Sequence, residues 1–288
     1  MYAHGLLKTF TVRYLLLVVL CCSAMLLRAQ ELYPYTEPAS NMPSHSISAK
    51  GTAMFEKDRQ TGAFMQRYSP ELMFGLSKKW MVHAAGSFSD MYSGSVRGES
   101  VRMYAKYRFF SNDAVHQHFR MAAFMLGSYS RNKPMHNELN LFGDQSGVQA
   151  GVIATQLLHK IAVSGTASLA ELLNNERWKK ETKDLNAWHA INYSLSAGYL
   201  LFPVNYTSYK QTNVNLYAEL LGSRNLDFST EKYFVDLAPA VQFIFNSTSK
   251  LNLGYRFQLA GDINRLANQG FMVSYEYIFL NALLRKGK

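Results

Sequence analysis

Three groups of side chains in this chain have the types and spacing to do chemistry. The largest is charged: Lys50, Arg67, Arg102, Lys106, Arg108, Arg120 and Arg256 with Glu71, Glu219, Asp236 and Glu276, set at alternate positions of extended segments. Side chains of a strand alternate between faces, so these residues share one face, with an excess of three positive charges. Inside a narrow barrel such charges either interlock and hold it shut, or line a path selective for small polar or anionic solutes. The second group is soft. Met54, Met65, Met73, Met81 and His83 fall on the same face of the first three segments, and thioethers with imidazole suit an ion such as Cu(I). Methionine is equally a flexible filler of irregular interiors. The third group would be hydrolytic, and it is missing its geometry. A histidine two residues before a serine would share its face and take the hydroxyl proton, but His45, His83 and His189 are followed two places on by Ile47, Ala85 and Ile191. Asp227 with Glu231 is the one carboxylate pair placed for a surface protease, and a solvated loop explains it as well. No catalytic residue and no cofactor is assigned, and the chain is read as a non-enzyme.

Such a charged face needs a sheet to carry it. In Phe271–Phe279, residues Phe271, Val273, Tyr275, Tyr277 and Phe279 share one side and Ser274 and Glu276 the other; Leu251–Leu259 repeats the pattern against Lys250, Asn252, Arg256 and Gln258. Period-2 segments from Ser44 onward number about twelve, near 44–54, 63–76, 80–89, 99–110, 117–130, 147–158, 160–172, 188–202, 212–222, 232–245, 250–260 and 269–280, with boundaries that admit ten to fourteen. Their connectors alternate short and long, as in barrels with short periplasmic turns and long outer loops. Pro203–Gln211 breaks the alternation, being long for an inner turn. Segments 117–130 and 147–158 are apolar on both sides, and Pro70 and Pro239 are expected to mark bulges, register changes or strand entries. His116-Gln117-His118 falls in an expected inner turn. Trp178 and Trp188, with Trp80 at the opposite rim, suit an interfacial aromatic belt.

The N-terminus has the plan of an export signal: Lys8 and Arg13, an apolar run Tyr14–Leu27, and a small-residue end at Ala29. That run of 14 residues is short of the ~20 needed to span a bilayer as a helix. Cleavage after Ala29 removes both cysteines, Cys21 and Cys22, and lowers the formal charge from +10 to +7. The remaining Lys and Arg are dispersed, which excludes a nucleic-acid footprint. The charged stretch 173–186 reads as a solvated outer loop able to meet lipopolysaccharide. The expected organisation is a signal at 1–29, a periplasmic lead-in at 30–43 with a short helix capping the barrel floor, a barrel at 44–280 and a tail at 281–288.

Two stretches, Leu32-Tyr-Pro-Tyr-Thr-Glu-Pro-Ala-Ser-Asn-Met-Pro43 and Ser69-Pro-Glu-Leu-Met-Phe-Gly-Leu-Ser-Lys-Lys-Trp80, resemble outer-membrane β-barrel proteins of Bacteroidetes-type bacteria, and more loosely the transporter-like barrels of aromatic-compound degradation. The resemblance implies a Gram-negative outer membrane and transport, and brings no site residue with it. The chain departs from the usual terminal aromatic of outer-membrane insertion signals by ending in Lys288, which leaves Phe279 as the equivalent. The expected function is a transporter-like or channel barrel for a small polar or anionic solute. A plugged, non-conducting structural or interaction barrel and a copper-related barrel using the inward Met and His are the alternatives. Expected partners are outer-membrane lipid and lipopolysaccharide, the barrel-assembly machinery and an unknown small solute.

Overall fold

A computed structural model describes residues 33–114, 117–133, 135–173, 187–203, 210–227 and 232–284. The signal segment, the charged stretch 174–186, residues 204–209 and Glu231 lie outside these. Twelve antiparallel strands follow one another: β1 (Ser46–Asp58), β2 (Phe64–Gly75), β3 (Trp80–Ser89), β4 (Arg97–Ala114), β5 (Gln117–Ser130), β6 (Gly147–Leu158), β7 (Ile161–Leu172), β8 (His189–Phe202), β9 (Asn213–Asn225), β10 (Tyr233–Phe245), β11 (Ser249–Gly261) and β12 (Ala267–Phe279). Each pairs with its chain neighbours, and β12 pairs with β1 from Ile47↔Phe279 to Asp58↔Ala267, so the sheet has no edge. The described residues contain no helix.

Closure makes the alternation physical. Phe271, Tyr275 and Phe279 are 54%, 50% and 50% exposed, while the intervening Met272, Ser274, Glu276 and Ile278 are buried. Leu72, Val101, Met125, Leu169 and Leu195 extend the same exposed apolar belt around the barrel. Hydrocarbon makes such a surface favourable, and a sheet can enter hydrocarbon with every backbone group paired only if it closes. Short connections at 76–79, 159–160 and 246–248 gather at one end; longer ones at 59–63, 90–96, 131–146 and 262–266 gather at the other.

The strands differ from expectation in places with physical causes. β4 runs to Ala114 and β5 starts at Gln117, so the expected turn shrinks, and His118 is a buried strand residue; His116 is not described. Neither proline shifts the register. Pro70 and Pro239 sit opposite Gly51 and Ala218 in unbroken ladders on one side, while pairing skips a step on the other, where the missing N–H would have been needed. The bulges lie elsewhere. Ser87 pairs with Ser100 and Phe88 with Gly98, which leaves Glu99 as the extra residue and turns it into the lumen against the parity of its strand. Trp188 is 4% exposed, packed inside the barrel mouth with Leu139, Leu141 and Leu172, and so is not a belt residue; Trp80, 48% exposed at the short-turn rim, can be one.

Candidate functional site

The chain itself enters the lumen from both ends. From the short-turn end, residues 33–43 run up into the barrel as bends and turns with no helix, in place of the helical cap expected. Backbone groups taken out of water need partners, and the wall supplies them. Tyr35 N–H donates to Glu219 Oε1 at 2.9 Å and Thr36 Oγ1 to Glu219 Oε2 at 2.6 Å. Ala39 N–H donates to Thr155 Oγ1 at 2.9 Å, and Arg120 Nη1 donates to Ser40 Oγ at 2.9 Å. The fully buried Lys106 ammonium donates to Glu37 Oε2 at 3.0 Å, Pro38 O at 2.7 Å and Ser40 O at 3.0 Å, so all three of its protons serve this floor. Burial opposes ionisation of Glu37, but Lys106 and further cations outweigh it and hold the carboxyl below the ordinary range. Tyr33 adds an edge-on contact with Tyr217 at 5.6 Å. Gly254 leaves room for Tyr35, whose ring would stand 2.8 Å from an added Cβ.

From the long-loop end, the β5–β6 connection 131–146 folds inward as a roof, where an external loop was expected. Leu139 and Leu141 are buried against Tyr104, Leu126 and Leu172. Arg67 reaches Glu99 Oε2 at 3.0 Å and also bonds Asp144. Gly143, at φ +142°, lets the loop pass over the Arg67 guanidinium, which would stand 2.8 Å from a Cβ. Arg265, from the β11–β12 connection, grips Glu138 at 3.0 Å and Asp236 at 2.8 Å and covers the Phe234 ring at 3.8 Å. Arg256 joins the same set through Asp236 at 2.5 Å and Glu138 at 3.5 Å. The two-sided apolar character of β5 and β6 now has its cause. Ala122 and Ile153 meet Ala39 of the floor, and Leu126 meets the roof.

Between floor and roof lies a chamber of about 330 Å³. Lys50, Glu71, His83 and Arg102 form one wall, Tyr104, Phe124, Leu126 and Ile153 an apolar one, and Gln149, Ser168, Asn192 and Ser194 a third of hydroxyls and amides. Lys50 faces Glu71 across β1–β2, and Arg102 reaches Glu71 over the small Ala85 at 3.9 Å while its guanidinium lies 4.4 Å from the Phe142 ring. Among the described residues Lys50 makes no hydrogen bond or ion pair, so its ammonium and most donors of Arg102 are spare.

The charged residues expected on one face thus divide by task. Lys50, Arg67, Glu71, Arg102 and Arg256 border the chamber. Lys106, Arg120 and Glu219 hold the floor, and Asp236 anchors the roof. Glu276 pairs with Lys250 at 3.2 Å and accepts from Ser48 at 2.7 Å. Arg108 sits beside the β4 bulge at the short-turn rim, away from the chamber. The expected surplus of positive charge disappears, because Glu37, Glu56, Glu99, Glu138 and Asp144 also enter the lumen, joined by Lys250 and Arg265. Of the soft group, Met54 borders the chamber and Met65 packs with Met91 and Ala267 toward the long loops, whereas Met73 and Met81 lie lower down beside His83, which itself borders the chamber. Asp227 is structural: it accepts from the Trp188 and His189 amides at 2.7 and 2.6 Å and contacts His189 Nδ1 at 2.8 Å. Burial opposes its ionisation, but these contacts prevail and keep its carboxyl below the ordinary range.

No protein-family model and no curated protein matches the chain. Solved structures do. The COG4313 outer membrane channel from Pseudomonas putida F1 aligns over 86% of this chain and 100% of its own, with 11% identity and TM-score 0.56. The NanC porin aligns over 80% and 98%, with 10% identity and TM-score 0.52; the KdgM porin over 81% and 99%, with 8% identity and TM-score 0.50. The likeness is one of fold. One KdgM structure is described as a complex with disordered oligogalacturonate.

Proposed function

We propose that this chain is an outer-membrane channel for a small anionic or polar solute, with its lumen gated by the floor segment and the roof loop. On this reading the signal is cleaved after Ala29, the short turns face the periplasm, and the long loops meet lipopolysaccharide. Lipid, the barrel-assembly machinery and the solute are its partners. The fold shared with porins and outer-membrane channels supports transport as the class, and the oligogalacturonate of one KdgM complex is an example of an anionic cargo on that fold. Twelve strands lie between barrels of about eight, filled by side chains, and those of about 16–18 with open channels. A narrow, gated path fits that size.

The observation that carries the anionic preference is the pairing state of the chamber cations. Lys106, Arg67 and Arg265 are spent on the stoppers, whereas Lys50 and Arg102 border the chamber with donors to spare. Reversal potentials of the full-length protein in planar bilayers under a potassium chloride gradient test this. Anion preference that falls in Lys50→Met and Arg102→Met is expected; cation preference, or selectivity indifferent to both changes, would refute it.

A second reading, a non-conducting barrel with a filled lumen, is favoured by how completely buried side chains anchor both stoppers. It requires electrical silence even when the floor is loosened.

A further inference from the structure

We infer that Met73, Met81 and His83, closed from below by Met42, form a binding site for a soft monovalent metal ion, Cu(I) or Ag(I), at the seam between the floor segment and the barrel wall. The inference does not depend on the channel reading. His83 is 3% exposed, and its Nδ1 contacts Glu71 Oε1 at 2.9 Å. With a carboxylate there as acceptor, Nδ1–H is the donor of that contact, which leaves Nε2 as the nitrogen open to a metal ion. That Nε2 is buried and has no hydrogen-bond partner. A buried acceptor left unpaired is costly, and a histidine oriented by a carboxylate on one nitrogen with the other free is the usual arrangement of a metal ligand.

Soft side chains neighbour His83 on the wall, with the Tyr104 ring 4.9 Å from the imidazole on its other neighbouring strand. Met73 is the direct cross-strand partner of His83, and Met81 precedes His83 by two residues on the same inward face. Both are buried, at 6% and 3% exposure. Met42 closes the patch from the floor: its N–H donates to Met81 Sδ at 3.5 Å, which orients that thioether and leaves its second lone pair, and its Cγ lies 3.0 Å from where a Cβ on Gly75, the partner of Met81, would stand. Two thioethers and one imidazole, all neutral, suit a polarizable monovalent ion, whereas a divalent ion would prefer more charged ligands. Glu71 offsets the single charge at one remove. Met65 and Met54 lie outside the patch, which makes them internal controls.

The test is titration of the purified full-length protein in detergent with Ag(I), and with Cu(I) under a chelator competitor and reductant, followed by X-ray absorption at the copper edge. One ion per chain with sulfur and nitrogen ligation is expected. Met73→Leu with Met81→Leu, and separately His83→Phe, should each weaken binding by about tenfold or more; Glu71→Gln, which removes the orienting carboxylate, should weaken it by about tenfold. Met65→Leu should leave affinity unchanged. Heat-modifiable electrophoretic mobility shows whether each variant is still a barrel. Absence of binding, unaltered affinity in the folded Met73/Met81 variant, or an equal loss in Met65→Leu would overturn the site and leave the methionines as packing alone.

Discussion

Replacing Lys106 by Met removes the ammonium that ties the floor to the wall while keeping side-chain volume. Three of its contacts, at 2.7 to 3.0 Å, go to residues 37–40, and none of its surface is exposed. Removing one partner of a buried ion pair costs about 3–5 kcal/mol, because the other charge is left without compensation. Glu37 borders the chamber and keeps access to its water, so the lower end applies, about 3 kcal/mol. At ~1.4 kcal/mol per decade, the ratio of undocked to docked floor rises on the order of a hundredfold. Two assays read this. Amide exchange should accelerate by that factor at Tyr35 and Ala39, whose N–H groups bond Glu219 and Thr155. Single-channel recordings should change from rare openings to frequent ones. Unchanged exchange at both amides in a variant that still folds as a barrel would refute the assignment of Lys106 as the latch.

Gly254→Ala should loosen the floor without touching its polar contacts, since the new Cβ would collide with the Tyr35 ring; faster exchange at Tyr35 with an intact barrel is the check. Arg67→Met strands Glu99 and Asp144 in the roof and should cost about 3–5 kcal/mol there, read as raised conductance and protease sensitivity of 131–146. Acid should act on the floor late. Because the Glu37 carboxyl lies below its ordinary range, its contribution is complete above the unfolded value of about 4.3 and fades only as pH falls through the lower folded value. Open probability should therefore be flat from pH 7 to about 5 and rise below about 4; a rise already near pH 6 would contradict this. Tyr275→Arg, in the belt, should destabilise the folded barrel in lipid by about 2–4 kcal/mol, as reversible unfolding in vesicles would measure.

The barrel was legible because side-chain period and sheet face are the same quantity. Phe271 to Phe279 can be assigned to one side from types alone, and ten of twelve strands can be bounded to within three residues by the same rule. β1 and β4 are the exceptions, each running four residues past its expected end. In β4, Ser111, Asn112 and Asp113 look like a turn, yet they extend the strand because His118, Phe119 and Arg120 of β5 pair with them. Parity also fails where a bulge intervenes, as at Glu99, which turns inward against the alternation of β4. The stoppers were not legible. Nothing in the types of Glu138, Leu139 and Leu141 separates an inward loop from an outward one, and the three prolines of 30–43 report only that no strand forms. The one usable trace was indirect: Phe124, Leu126 and Ile153 are apolar on what should have been a wet face, which is where something apolar must dock.

Everything depends on strands that cross hydrocarbon with the aromatic side outward and the ion-paired side enclosed. Single cysteines placed one at a time from 271 to 279, in a chain lacking Cys21 and Cys22 and reconstituted in vesicles, measure this directly through quenching of an attached fluorophore by lipid-borne and by water-borne quenchers. Lipid-phase quenching at 271, 273, 275, 277 and 279, with protection from both quenchers at 272, 274 and 276, is the predicted pattern. Water-phase quenching at the odd positions, or no alternation at all, would contradict a membrane-spanning barrel and the channel built upon it.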